Sequence, residues 1–110
     1  MNIVNNEITG KNAELITTEI MFFVTSAKSL GHDLIKLKIK SIGNEERDAK
    51  RFIIINKILR SIKKRGLIQL SVASTDFENP STEVDYLRNK YPDLKSLFQS
   101  DNDVFFVLKI

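Results

Sequence analysis

Apolar residues recur along this chain with two alternating periods, and the period separates helix from strand. Between Asn12 and about Leu30, the residues Ile16, Ile20, Phe23, Val24, Ala27 and Leu30 follow the i, i+4, i+7, i+8 spacing of one buried helical stripe. Asn12 is placed to cap that helix and Gly31 to stop it. The period then falls to two. Ile35, Leu37 and Ile39 alternate with Lys36, Lys38 and Lys40, which predicts a strand with one buried and one wet face. Ser41 to Asn44 forms a turn or loop. A second helix begins near Glu45 and runs to about Arg65, ahead of Gly66, with Phe52, Ile55, Ile58, Leu59 and Ile62 as its inward stripe. Leu67 to Ala73 reads as a strand that turns Ile68, Leu70 and Val72 to one side. Asn79-Pro80-Ser81-Thr82 opens a third helix, which Tyr91-Pro92 closes. Val104 to Ile110 is almost wholly apolar and predicts a buried final strand. A short strand over Ile3 to Thr9 completes the series.

The resulting order is β-α-β-α-β-α-β. It predicts one α/β (α+β) domain over residues 1–110, a two-layer sandwich whose four-stranded mixed sheet carries helices mainly on one face. Three lysines in register along one strand agree with that plan, since a strand covered on both faces would be apolar throughout. The third helix is short, so the last strand is free to run antiparallel. A chain of 110 residues, 42% hydrophobic and 28% charged, has the makeup of one ordinary globular domain. It has no cysteine, which excludes disulfides, thiolate metal sites and cysteine nucleophiles. One histidine excludes a three-histidine zinc site within one subunit. Met1 to Gly10 lacks the basic start and apolar core of a secretory signal, and Ile20–Val24 and Phe52–Ile55 are too short to span a bilayer. The expectation is a cytoplasmic protein with no membrane partner.

Charge changes the picture only when it is divided along the chain. The formal total is +3. Residues 36 to 65 hold eleven basic and three acidic side chains, a net +8, which leaves −5 for the remainder. Lys50, Lys57, Arg60 and Lys64 share one face of the second helix, opposite its apolar stripe, with Arg47, Arg51 and Arg65 beside them. Lys36, Lys38 and Lys40 form another row on their strand. Clustered cations attract the phosphate backbone of DNA or RNA without reading its sequence. A solvated amphipathic helix would carry the same charges for no partner at all. The aromatic residues add little to the case, because nearly all seven phenylalanines fall where core packing is expected. Ile53 and Ile54 lie off the main stripe and Ile110 ends a potential sheet edge, which keeps a homodimer or protein partner open.

Catalytic constellations are thin. His32 follows Gly31 at a helix–strand junction, where a solvated turn histidine is the usual case. Asp76, Glu78, Asp101 and Asp103 could meet at loop ends and hold a hard cation, but their spacing matches no calcium loop. Gly10-Lys11-Asn12 lacks the upstream glycine and following Ser/Thr of a phosphate loop. No cofactor is expected.

Leu59-Arg60-Ser61-Ile62-Lys63-Lys64-Arg65-Gly66-Leu67-Ile68, Asp76-Phe77 and Tyr91-Pro92-Asp93-Leu94 together resemble a compact bacterial branch of the Smr (small MutS-related) domain family. Gly31 to Lys40 looks like the family's strand leading into its signature loop, and the helix before it has the family's length. The resemblance covers almost the whole chain in order and spacing. It implies a two-layer sandwich similar to the C-terminal domain of a bacterial translation initiation factor, and a domain that binds nucleic acid, with several members acting as nicking or RNA-cleaving endonucleases. The departures fall on the chemistry. Where the family carries His-Gly-x-Gly, this chain reads Ile39-Lys40-Ser41-Ile42-Gly43; where it carries Asp-Leu-His-Gly, Glu7-Ile8-Thr9-Gly10 stands. Both family histidines are missing, so no catalytic residue carries over. The expectation is a non-catalytic nucleic-acid-binding domain that contacts phosphates through Lys36, Lys38, Lys40, Arg47, Lys50, Arg51, Lys57, Arg60 and Lys64. The alternatives are a protein-interaction or dimerisation module and a divergent metal-dependent nuclease.

Overall fold

The computed structural model describes residues 3–100 and 103–110. Its elements are β1 (Ile3–Ile8), α1 (Ala13–Ser29), β2 (Leu34–Ile39), α2 (Glu45–Lys64), β3 (Leu70–Ala73), α3 (Thr82–Lys90), α4 (Leu94–Ser100) and β4 (Phe105–Lys109), with a 3₁₀ turn over Ser74–Asp76 after β3. Local sequence sets the helix ends. Asn12 Oδ1 accepts the Leu15 N–H at 2.9 Å, Asn44 Oδ1 accepts the Arg47 N–H at 3.0 Å, and the Ser81 hydroxyl oxygen accepts the Val84 N–H at 3.0 Å. Gly31 and Gly66 stop the two long helices in the left-handed region, at φ 74° and 75°. Past each glycine the chain folds back: the N–H groups of His32 and Leu67 donate to the carbonyls of Ala27 and Ile62, both at 2.9 Å.

The sheet runs β1-β2-β4-β3. β1 and β2 are parallel, from Ile3 opposite Leu34 to Ile8 opposite Ile39, and α1 is the crossover between them. β4 lies antiparallel between β2 and β3, and all five of its residues are buried. The final strand is therefore central, and Ile110 does not end a sheet edge. Alternation along the strands divides the core in two. Ile35, Leu37, Phe106 and Leu108 face α1 and α2, where they meet Ile16, Ile20, Val24, Ile55, Leu59 and Ile62. Leu34, Phe105, Val107, Leu70 and Val72 face the other way and pack with Phe77, Val84, Leu87 and Leu94. The mixed four-stranded sheet has its two long helices on one face, as its sequence predicts. The short α3 and α4 close part of the opposite face.

Three expectations shift. Leu30 lies just past α1 and is 74% exposed, so the buried stripe ends at Ala27. Ile68 joins the α1–α2 side of the core while Leu70 and Val72 join the other, because the chain is still completing the turn after Gly66 and strand pairing begins only at Leu70. The segment after Tyr91-Pro92 is not a plain connection but α4, which places Leu94 in the second core. No helix among the described residues is long and apolar enough to cross a membrane.

Where β1 turns into α1, the backbone is held against the helix. Glu19 accepts the N–H groups of Thr9 and Gly10 and the Thr9 hydroxyl. A Cβ on Gly10 would lie 2.6 Å from Glu19 Oε1 and 3.0 Å from the Ile16 nitrogen, so a side chain there displaces the Glu19 carboxylate from this turn and crowds the first turn of α1. Gly10→Ala is expected to lower the unfolding free energy by about 1–3 kcal/mol, the usual cost of overpacking, read as a lower urea midpoint at unchanged slope.

Candidate nucleic-acid interface

α2 carries the charge. Its first turn is acidic, with Glu45, Glu46 and Asp48, and its last turn basic, with Lys63 and Lys64, which suits the helix dipole at both ends. Ile55, Leu59 and Ile62 bury one side of the helix. That fixes Lys50, Lys57, Arg60 and Lys64 on exposed positions, with Ile53, 53% exposed, among them; Arg47 is exposed in the first turn of the helix. Lys50 makes an exposed pair with Glu46 at 3.4 Å, a contact of little energetic weight. Arg47, Lys57, Arg60 and Lys64 form no ion pair among the described residues.

Arg51 is different. The sequence places it with the phosphate contacts, but its side chain is only 2% exposed. Nε donates to the Gly10 carbonyl at 2.9 Å, Nη1 to the Lys40 carbonyl at 2.6 Å, and Nη2 to the Ile8 carbonyl at 3.2 Å. Asp48 Oδ1 lies 3.3 Å from Nη1. The guanidinium thus ties the C-terminal ends of β1 and β2 to α2, and has no surface left for a phosphate. Only an arginine fork supplies donors in that many directions.

The strand lysines occupy a separate place. Lys36 and Lys38 point away from α2, on the same side of the sheet as Leu34. Lys36 Nζ sits 4.7 Å from the centre of the Phe105 ring, and Lys38 Nζ lies 2.8 Å from the Asp103 carboxylate. Glu7 of β1 stands opposite Lys38. Lys40 is exposed at the mouth of an open groove of about 1050 Å³, which Lys38, Lys40, Ser41, Phe52, Ile53 and Val104 help to line. None of Lys50, Lys57, Arg60 or Lys64 reaches that groove. The two basic rows therefore form two surfaces, and at one side of the α2 row Arg60 borders a cleft that it shares with Asp76 and Glu83.

The loop between β2 and α2 is anchored by Asp48. Its carboxylate accepts the Ser41 hydroxyl at 2.6 Å and the Ile42 N–H at 3.0 Å. These bonds, the Ser41 hydroxyl foremost, and then the Arg51 guanidinium hold the Asp48 pKa below its ordinary 3.8, against a smaller opposing effect of burial. The acidic loop residues do not converge. Glu78 pairs with Arg88 at 3.3 Å, Asp103 pairs with Lys38, and Asp101 lies outside the described residues. Among the described residues no three His, Asp or Glu side chains gather as a metal site would require.

One phenylalanine lies outside both cores. Phe22, which is not part of the stripe expected for α1, is 66% exposed on the outer side of that helix, with its ring edge-on to Phe23 at 6.1 Å between ring centres. Its helical position, about 200° round from the buried Ile20, was the signal for this. No protein-family model, curated protein or solved structure matches the chain.

Two consequences can be measured. Arg51→Met strands the Gly10 and Lys40 carbonyls and leaves Ile8 O with only the Lys40 N–H, and is expected to cost about 3 kcal/mol or more of unfolding free energy by urea denaturation, with Arg51→Lys recovering only part. Because the Asp48 pKa is depressed on folding, its contribution is fully present above the unfolded value and is lost as pH falls through the lower folded value. Stability of the wild-type chain should thus fall as pH drops below 3.8, and Asp48→Asn should flatten that part of the urea-midpoint profile.

Proposed function

We propose that this chain is a non-catalytic, Smr-like nucleic-acid-binding domain that engages phosphates through the outer face of α2. The observation that carries the reading is the array of Lys57, Arg60 and Lys64 on that face, exposed and in no ion pair among the described residues, with Lys50 only weakly paired and Arg47 exposed in the first turn. Lys50 and Lys64 are fourteen residues apart in sequence, so the array extends about 21 Å at the α-helical rise. That length spans several phosphates of a nucleic-acid strand. Cations placed this way release condensed counterions on binding and position the chain without reading bases. Arg51 belongs to the scaffold in this reading, and Lys36 and Lys38, already facing Glu7 and Asp103, stand aside from the contact.

The non-catalytic part of the proposal rests on the residues at the family's motif positions. Thr9 and the Ile39–Gly43 stretch supply no histidine, and Gly10 and Ser41 are used to hold α1, α2 and the loop together. The architecture of a mixed four-stranded sheet under two long helices accommodates the Smr resemblance.

Binding to a fluorescent duplex of about twenty base pairs should weaken with salt, with a slope of log K against log salt of about −3 to −5 for four or five phosphate contacts. Lys57→Gln/Arg60→Gln/Lys64→Gln should reduce the slope by about 2 to 3, and Lys36→Gln/Lys38→Gln should leave it nearly unchanged. Undetectable binding to both this duplex and a single strand of equal length at low ionic strength, or a triple variant that binds like the wild type, would refute the proposal.

A further inference from the structure

The exposed Phe22 asks for an explanation that the cations of α2 do not provide. A phenylalanine two-thirds exposed in the middle of a helix contributes little to folding and presents a flat apolar surface to solvent. Its neighbours on that side of α1 are Thr18 and Thr25, with Leu15 two turns earlier. Thr18 Oγ1 is turned back to the Glu14 carbonyl at 3.0 Å, so the ring stands over short polar side chains.

The position of the ring relative to the basic array follows from the topology. α1 and α2 cover the same sheet face, and each leaves the C-terminal end of one of two parallel strands. They therefore run side by side in the same direction, with their outer sides facing the same solvent. Phe22 lies nine residues into α1, as Ile54 does into α2, one turn before Lys57. α1 and α2 are in contact, and packed helices have axes about 8–10 Å apart. The ring and the cations therefore stand on adjoining ridges of one helix layer, a spacing that a short run of nucleotides bridges.

We infer that α1 and α2 together form a site for single-stranded nucleic acid, in which Phe22 stacks on an unpaired base while Lys57, Arg60 and Lys64 hold the adjoining phosphates. The inference rests on the phosphate-binding reading of α2 and adds the strandedness of the ligand. In a duplex the base faces are covered by their neighbours, and a ring on the outside of a helix layer reaches none of them. In a single strand every base offers a π-face, so stacking tolerates any sequence. A second copy of this chain fits the face poorly, because a two-fold contact through Phe22 sets one basic α2 against the other. An anionic bilayer would match the charge, but Thr18 and Thr25 interrupt the continuous apolar stripe that interfacial insertion uses.

The test compares fluorescein-labelled oligo(dT) and oligo(U) with a duplex of equal length, and with phosphatidylserine–phosphatidylcholine vesicles. Phe22→Ala should weaken binding to both single strands by about five- to a hundredfold, the range of one lost base stack, and change duplex binding less than about twofold. The chain has no tryptophan, so Phe22→Trp introduces a single indole. This variant should keep single-strand affinity, and its emission should be quenched as oligo(dT) is added. If Phe22→Ala binds oligo(dT) like the wild type while Lys57→Gln/Arg60→Gln/Lys64→Gln does not bind, stacking is wrong and the phosphate reading survives. Binding to neither nucleic acid overturns both, as does Phe22-dependent binding to vesicles in place of oligonucleotide.

Discussion

A buried guanidinium fixes the geometry on which the rest of this domain depends. Arg51 takes the carbonyls of Ile8, Gly10 and Lys40 at the ends of β1 and β2; Ile8 O also accepts the Lys40 N–H, while those of Gly10 and Lys40 would otherwise face α2 without donors. A charge buried this deeply is tolerated because its donors are spent on three carbonyls and Asp48. The same contacts fix the rotation of α2 about its axis. With Arg51 turned inward beside Ile55 and Leu59, the helical period sends Lys50, Lys57, Arg60 and Lys64 outward. One basic residue inside thus determines where four others point. On the other side of the same strand ends, Glu19 holds the N–H groups of Thr9 and Gly10, so the peptide at Gly10 is gripped by α1 through its nitrogen and by α2 through its oxygen.

Most of the frame was readable because local chemistry and long-range packing agree. The stripes Ile16–Ile20–Val24–Ala27 and Ile55–Leu59–Ile62 are buried, and Asn12, Gly31 and Gly66 punctuate the helices as their types predict. The misses have physical causes. Arg51 was read by its charge, although its spacing of four from Ile55 placed it on the buried stripe. Its position was informative and its residue type misleading. Phe22, outside the expected stripe, is exposed where the periodicity of α1 puts it, opposite Ile20. α4 is only seven residues long, too few to establish a helical period, and Ile68 follows a helix stop whose length no pattern records.

The charge division gains a spatial meaning. The lysines of β2 and those of α2 are close in sequence, yet a half-buried sheet separates them. Strand alternation sends Lys36 and Lys38 to the side of Glu7 and Asp103, and helical periodicity sends Lys57, Arg60 and Lys64 to the outer side of α2, where none of them is ion-paired among the described residues. Two rows of similar composition therefore have different electrostatic surroundings, and only one retains the unbalanced potential that attracts an anion from a distance.

The central place of β4 bears on how this molecule is reached from the unfolded chain. β1, α1 and β2 form a local unit, whereas β3 hydrogen-bonds to no strand but β4, and β4 pairs Lys109 with Leu34 from far up the chain. The sheet cannot be completed by extending a hairpin outward. It must close a long loop to insert its middle strand, an entropic barrier that tends to make folding slow. Until that insertion, the apolar faces of β2 and β3 have no strand between them, so the interval before closure is when the chain is most open to aggregation.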